Sequence, residues 1–484
     1  MSLSSALSIA QSSLQTTSRQ TAVVSRNVAD ASNPDYARRI VHVVSTDPGA
    51  RAAQIQRATN DQLFRQNLGA LSAWAGQSAL YDGLDQLDLA VNGVDNASSA
   101  SAAIGDLQQA LQLYATSPSN QNLGTAVIDA ARQVVRSLND GTDAIQKFRT
   151  DTDGQIATAV GELNGLLAQF KDANTAVVSG SRSGTDVSDA LDQRDALLKK
   201  IAEYVPVSTV TRADNDMVIT TADGTTLFET IPRSVSFQPQ AGYTAGVQGN
   251  AVYIDNVPLA AGTGGNTDAG GKLAGLVQLR DGVTGTMQAQ LDEIARGLIT
   301  AFAETAPAQP NAAGLFTWSG APAIPAAGTL VNGLAGQIRI NSAMDPSAGG
   351  DVTLLRDGGA NGAAYMANTT GGASYADLLI AYGNKLNEPM AFSPAAGINA
   401  SVSVSAYSAS AIGWFEGVRK QASTAADAKE ALSTRTAEAL SNKTGVNVDT
   451  ELSLLLDLEH TYQASARILT SVNQMLDSLM EAVR

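Results

Sequence analysis

Residues 3–31 read LSSALSIAQSSLQTTSRQTAVVSRNVADA, and within them Leu3, Leu7, Ala10, Leu14, Thr17, Thr21, Val24, Val28 and Ala31 step by four and three. That spacing lays them on one stripe of a helix. The stripe is thin, because Ala and Thr fill several of its positions and few charges flank it. A helix with so little to bury is marginal alone, so it calls for a partner helix. Asn33-Pro34-Asp35 stops it, since proline disfavours helical backbone in the residue before it. Residues 39–46, Arg-Ile-Val-His-Val-Val-Ser-Thr, alternate enough to predict a strand or extended segment.

The other end of the chain mirrors this pattern. Leu452, Leu455, Glu459, Tyr462, Ala466, Leu469, Asn473, Leu476, Met480 and Val483 again step by three and four. A second row, Leu458, Ile468, Val472, Met475 and Leu479, widens the stripe, and Asp449 is the expected N-cap. Glu459 and Asn473 sit inside the stripe, where polar residues of coiled coils set register and partner number. Both ends therefore predict helices that gain burial by packing on each other or on neighbouring copies.

Between the ends, apolar periodicity predicts helices over 55–92, 103–115, 120–175, 186–203, 272–304 and 374–445, the last with a strand at 400–405. From 205 the pattern shortens to strands at 207–210, 217–221, 234–237 and 251–254, with turns at Asn215-Asp216 and Asp223-Gly224. Residues 310–365 predict loop and strand, including 337–340. The expected fold class is α+β, a long helical bundle or coiled coil built from both chain ends and middle helices, with β-rich inserted outer domains. Three domains follow: 1–40 plus 446–484 as a terminal coiled coil, 41–204 plus 268–306 plus 405–445 as a helical rod, and 205–267 plus 307–404 as a β-rich outer domain.

The chain has 484 residues, with 31 Lys and Arg against 46 Asp and Glu, a formal charge of −15. That balance repels phosphate backbones and anionic membranes, so neither nucleic acid nor a membrane is an expected partner. There is no Cys, which removes disulfides, thiolate nucleophiles and Cys-ligated metals. Residues 1–20 show no secretory signal, and no window reaches the roughly 18 apolar residues of a membrane span. His42 and His460 are too few and too separated for a His-rich metal site, and no Ser/His/Asp signature is visible. Gly-rich 261–275 lacks the spacing of a phosphate-binding loop and reads as a linker. No cofactor and no catalytic activity are expected.

Both termini resemble the flagellar axial family of rod, hook and hook-associated proteins. At the N-terminus the resemblance is carried by Ser2-Leu-Ser-Ser-Ala-Leu7 and by Ser25-Arg-Asn-Val-Ala-Asp-Ala-Ser-Asn-Pro-Asp-Tyr36-Ala-Arg38-Arg39. The family there reads SL..AL, then NNIANA.T.GY.R. Asn27, Ala29, Ala31, Tyr36 and Arg38 match, and Asp35 stands where Gly is usual. At the C-terminus Thr444-Gly-Val-Asn-Val-Asp449-Thr-Glu451 and Tyr462-Gln-Ala-Ser-Ala-Arg467 resemble SGVN.DEE and YQASAR. Leu191-Asp-Gln-Arg-Asp195 and Gly271-Lys-Leu-Ala-Gly-Leu276, with Arg280-Asp281, narrow the resemblance to the hook-associated proteins that join hook to filament.

The resemblance implies a structural subunit, exported unfolded by the flagellar type III route and assembled extracellularly at the hook tip. The alternative is another axial component such as hook or distal rod protein. Implied partners are sister copies in a ring, hook protein, a second junction protein and an export chaperone at the C-terminal helix. The expected assembly interface comprises Leu3, Leu7, Leu14, Val24, Val28, Tyr36, Arg38, Leu452, Leu455, Tyr462, Arg467, Leu469, Leu476 and Val483. Tyr36 and Arg38 either dock the terminal helix on a neighbour or close a local turn with Tyr36 in a satellite cluster. The carboxylates around Arg194 are expected on an exposed helical ion-pair face.

Overall fold

The computed structural model describes residues 3–47, 49–261 and 270–482, so Val483 and most of the glycine-rich linker lie outside the described residues. The N-terminal stripe forms helix α1 (Leu3–Ala29). Strand β1 (Arg39–Ser45) turns back on β2 (Ala50–Arg57) as an antiparallel hairpin with a bulge between His42 and Val43. The helix expected from residue 55 therefore starts later. Ile55 pairs with Val41, and α2 (Asp61–Val91) begins where the Asn60 side chain accepts from the Leu63 N–H.

Helices α3 (Ala100–Thr116), α4 (Gln121–Ser183) and α5 (Ser188–Tyr204) follow. α4 runs unbroken for 63 residues, longer than its periodicity suggested, and stops at left-handed Gly184. Strands β3 (Val207–Thr211), β4 (Met217–Thr221) and β5 (Thr226–Phe228) form one antiparallel sheet. β6 (Val235–Ser236), β7 (Tyr253–Ile254) and β8 (Val257–Pro258) form a second. α6 (Lys272–Val277) continues through a π-helical turn into α7 (Thr284–Ala301). β9 (Phe316–Thr317) pairs with β10 (Arg339–Ile340), and short α8 (Leu354–Asp357) precedes α9 (Asp377–Lys385).

The helix expected across 374–445 is interrupted. β11 (Met390–Ala391) pairs with β12 (Ser401–Val402), and α10 (Val404–Thr444) starts where Ser403 accepts from the Ala406 N–H. Pro394 and Gly397, in a turn between the two strands, explain the break. α11 (Val448–Ala482) closes the chain. Its cap is Asn447, whose side chain accepts from the Thr450 N–H at 3.0 Å, rather than Asp449.

α2 packs along α10, α3 and α5 pack on α4, and α1 packs on α11 and the hairpin. Leu84 and Leu87 of α2, Leu138 and Leu163 of α4, and Ile294 and Leu298 of α7 join one buried cluster. α6 approaches α2 so closely that a Cβ on Gly275 would stand 2.5 Å from the Gly76 carbonyl oxygen. Gly271, at φ +79°, would set a Cβ 2.3 Å from the Tyr204 carbonyl oxygen. The spacing of the Gly271–Leu276 motif is thus a close-packing device.

α7 is buried on nearly every face, so its carboxylates must find partners. Asp292 accepts from the Gly333 and Ala335 N–H groups, and burial pushes its carboxyl up to about 6. Glu293 pairs with Arg296 and accepts from the Ser393 N–H at 2.7 Å. Just past α7, Glu304 accepts from the Ala360 and Asn361 N–H groups. On α4, Asp153 binds Arg280 at 2.6 Å, the Tyr243 hydroxyl at 2.8 Å and the Gln240 N–H at 2.6 Å. The irregular segments around Gln240, Gly333, Ala360 and Ser393 hang on the helices through these carboxylates.

Candidate functional site

The quoted motifs, far apart in sequence, meet at one point. Asn27, near the end of α1, is fully buried and uses its whole amide. Its Nδ2 donates to Glu451 and to the Arg39 carbonyl, both at 2.9 Å. Its Oδ1 accepts from the Tyr36 hydroxyl at 2.8 Å and the Arg39 N–H at 3.0 Å. Glu451, 1% exposed in the first turn of α11, takes the Arg38 Nε on its other oxygen at 2.6 Å. The Arg38 N–H also donates to the Thr444 carbonyl at the end of α10. Burial pushes the Tyr36 phenol up to about 12, which keeps it a hydrogen-bond donor.

α5 completes the cluster. The Arg39 guanidinium lies over the Tyr36 ring, 4.6 Å from its centroid, and pairs with Asp189 and Asp192. Arg57 of β2 pairs with Asp192 at 2.9 Å and Asp195 at 2.5 Å. Burial pushes Asp192 up, with Arg57 and Arg39 opposing. Burial also acts on Asp189, but hydrogen bonds from Arg26 and Arg39 outweigh it and hold that carboxyl below the usual range.

The Leu191–Asp195 segment is therefore not the exposed ion-pair face the sequence suggested. Asp192 and Arg194 are buried, and their partners come from other elements: β1 and β2 for Asp192, the Asn215 carbonyl for Arg194. Tyr36 and Arg38 serve contacts within the chain, with Tyr36 buried and Arg38 half-buried.

Among the other expected interface residues, Val24 is buried, and Leu3, Leu7, Leu14 and Val28 are half-buried on α1. On α11, Leu455, Leu469 and Leu476 are half-buried, whereas Leu452, Tyr462 and Arg467 are exposed. The buried line of α11 is Glu451, Leu458, Ser465 and Val472, a seven-residue repeat. Ser465 meets Ser13 of α1 through a 2.8 Å hydroxyl pair. The second apolar row thus splits. Leu458 and Val472 turn inward, while Ile468, Met475 and Leu479 remain exposed beside Leu454, Leu456 and Met480. Sequence reasoning missed Asn27, Glu451 and Asp192 as organising residues. All three lay inside the quoted motifs, and the seven-residue spacing from Glu451 was the available signal.

Among the described residues, no group of His, Cys, Asp and Glu could hold a metal ion, and no helix is long and apolar enough to cross a membrane. The site joins three helices and a hairpin through buried hydrogen bonds and ion pairs.

Comparison with known proteins fits this arrangement. A family described as the flagellar hook-associated protein FlgK helical domain matches residues 84–309, and one described as the flagellar basal body rod FlgEFG protein C-terminal matches residues 439–482. The chain is 20% identical over 528 residues to flagellar hook-associated protein 1 of Bacillus subtilis (strain 168), covering 99% of this chain and 96% of that protein. It is 23% identical over 243 residues to flagellar hook-associated protein 1 of Salmonella typhimurium, covering 47% of this chain and 43% of that one. A solved structure, the flagellar hook junction protein FlgK from Burkholderia pseudomallei, aligns with a TM-score of 0.41 at 18% identity, over 53% of this chain and 47% of that one. With one match spanning the helix of Asp192, another spanning Glu451, and a relative aligned along nearly its whole length, these similarities all point to flagellar hook-associated protein 1.

Proposed function

We propose that the chain is a structural subunit of the bacterial flagellum that forms the hook–filament junction. The observation that carries the reading is the apolar surface that α11 leaves open: Leu454, Ile468 and Met475 stay exposed on the stripe flanking the line that packs on α1, and Leu479, seven residues past buried Val472, continues that line uncovered. A run of apolar side chains this long along one helix is the mark of a surface meant for burial by association. Sister copies in a ring supply that burial, so the stability of the terminal helices becomes inseparable from assembly. Hook protein lies on one side of the ring and a second junction protein on the other.

In this reading 1–40 plus 446–484 form the inner tube, 41–204 plus 268–306 plus 405–445 the rod, and 205–267 plus 307–404 the outward domain. The subunit leaves the cell through the flagellar type III channel, with an export chaperone on the segment that becomes α11. A thin α1 stripe of Ala and Thr supports passage in an unfolded state, because little burial opposes it. The role is mechanical, as in its structural family, and calls for no catalysis.

A strain lacking the gene tests this. Intact hooks without filaments, with filament monomer lost to the medium, are expected. Absence of hooks would overturn the junction role and assign the chain to hook or distal rod.

A further inference from the structure

We infer that the Asn27–Glu451 cluster is a clasp dividing each chain end into an anchored root and a labile tip, and that the two roots order together. This deepens the assembly reading above and rests on it for the fate of the tips. The roots are residues 24–57 and 444–458. They share the Asn27–Glu451 hydrogen bond and the Arg38–Glu451 ion pair, and the Arg38 N–H holds the Thr444 carbonyl. The N-terminal root is fixed to α5 by Arg39 with Asp192, by Arg57 with Asp192 and Asp195, and by Lys199 with Asp35 at 2.9 Å.

The coupling follows from saturation. Every bonding position of the Asn27 amide is filled, and Glu451 has one oxygen on each of two partners. Withdrawing α11 strands a buried amide donor and takes away the Arg38 counter-charge. Withdrawing α1 strands a buried carboxylate oxygen. Each root therefore loses part of its own bonding when the other leaves.

Toward the tips the links change character. The polar contacts described there include hydroxyl bonds of Ser13 with Ser465, of Thr16 with the Ala50 carbonyl, and of Ser12 with the Ala50 N–H, and no buried ion pair like that of Glu451 is found among the described residues of the tips. Beyond Val472, Met475, Leu479 and Met480 face solvent. The boundary between order and disorder in a solitary chain therefore falls just above the clasp, leaving the roots to set the register in which the tips fold on association.

Hydrogen exchange followed by mass spectrometry on the full-length chain, at a concentration where it is monomeric, tests this. Expected is slow exchange in 24–45, 50–57 and 448–458, and fast exchange in 3–20 and 460–482. Glu451→Ala and Asn27→Ala should each raise exchange in both roots together, by about tenfold or more, with α2 and α10 unchanged. Should Glu451→Ala disturb the body, Arg38→Ala carries the same comparison by cutting only the half-buried partner. Roots as fast as tips in the wild type, tips as slow as roots, or a response confined to one root would each overturn the clasp. Failure of the junction role would show elsewhere, as normal filaments in the deletion strain.

Discussion

Replacing Ile468, Met475 and Leu479 together by Glu should abolish assembly while leaving the monomer folded. These side chains are 51%, 59% and 53% exposed, so about half of each still awaits burial. Full burial of such a side chain contributes about 2 kcal/mol. Three half-buried ones therefore hold about 3 kcal/mol in reserve for each subunit contact. At about 1.4 kcal/mol per tenfold, losing that reserve weakens each contact by at least about a hundredfold, before any cost of desolvating three carboxylates. The same exposure limits the cost within the monomer to about 0.5 kcal/mol per position. The assay pairs thermal unfolding of the purified chain with motility and filament retention in a strain whose sole copy carries the triple substitution. Wild-type filaments at wild-type protein levels would refute the assembly role of this face. A collapse in the melting temperature would refute its exposure in the solitary subunit.

Asp153→Ala should destabilise the body by about 3 kcal/mol, since it takes from buried Arg280 one of its two carboxylates and leaves the Tyr243 hydroxyl and the Gln240 N–H without their acceptor; a urea midpoint within error of wild type would contradict this. Gly275→Ala should cost upwards of about 2 kcal/mol through its collision with the Gly76 carbonyl, whereas Gly161→Ala, with open space around it on α4, should stabilise by about 0.5 to 1 kcal/mol; melting the two side by side separates packing from helix propensity. Asp292 is raised in the fold to about 6, so its neutral form is the favoured one. Its contribution is complete below pH of about 4 and is lost as pH rises through 6, amounting to about 3 kcal/mol over the span. Asp292→Asn should flatten that part of the stability profile, and an unchanged slope between pH 4 and 7 would count against it.

The long elements were legible because periodicity survives without context. The α1 stripe from Leu3 to Val28, the strand at 39–45 and the helix at 188–204 stand where spacing put them. The start of α2 was misplaced because Ala50–Arg57 carries too few apolar residues to show its alternation, and only pairing with β1 makes it a strand. The clasp was not legible as geometry. Asp192 lies 153 residues from Arg39 and Glu451 lies 424 from Asn27, and local spacing says nothing about partners at that separation. The motif residues were visible, but the two carboxylates around Arg194 on α5 looked like a surface pattern until folding brought arginines from the hairpin onto them. Likewise α11 carries one broad apolar stripe, and only the seating of α1 decides that its centre at Leu458 and Val472 is buried while its flank at Leu454, Ile468 and Met475 stays open.

At about 1.5 Å per residue, α4 spans about 95 Å. Near its start Arg132 holds Asp345 of the outer segments, and toward its finish Asn174 grips Arg194 beside the clasp. No hinge interrupts the run between these two attachments, so a twist or bend applied at the roots travels along one continuous strut to the outermost loops. In the assembly proposed above, such a strut leaves the seams between neighbouring copies, rather than the inside of any one molecule, to yield under load.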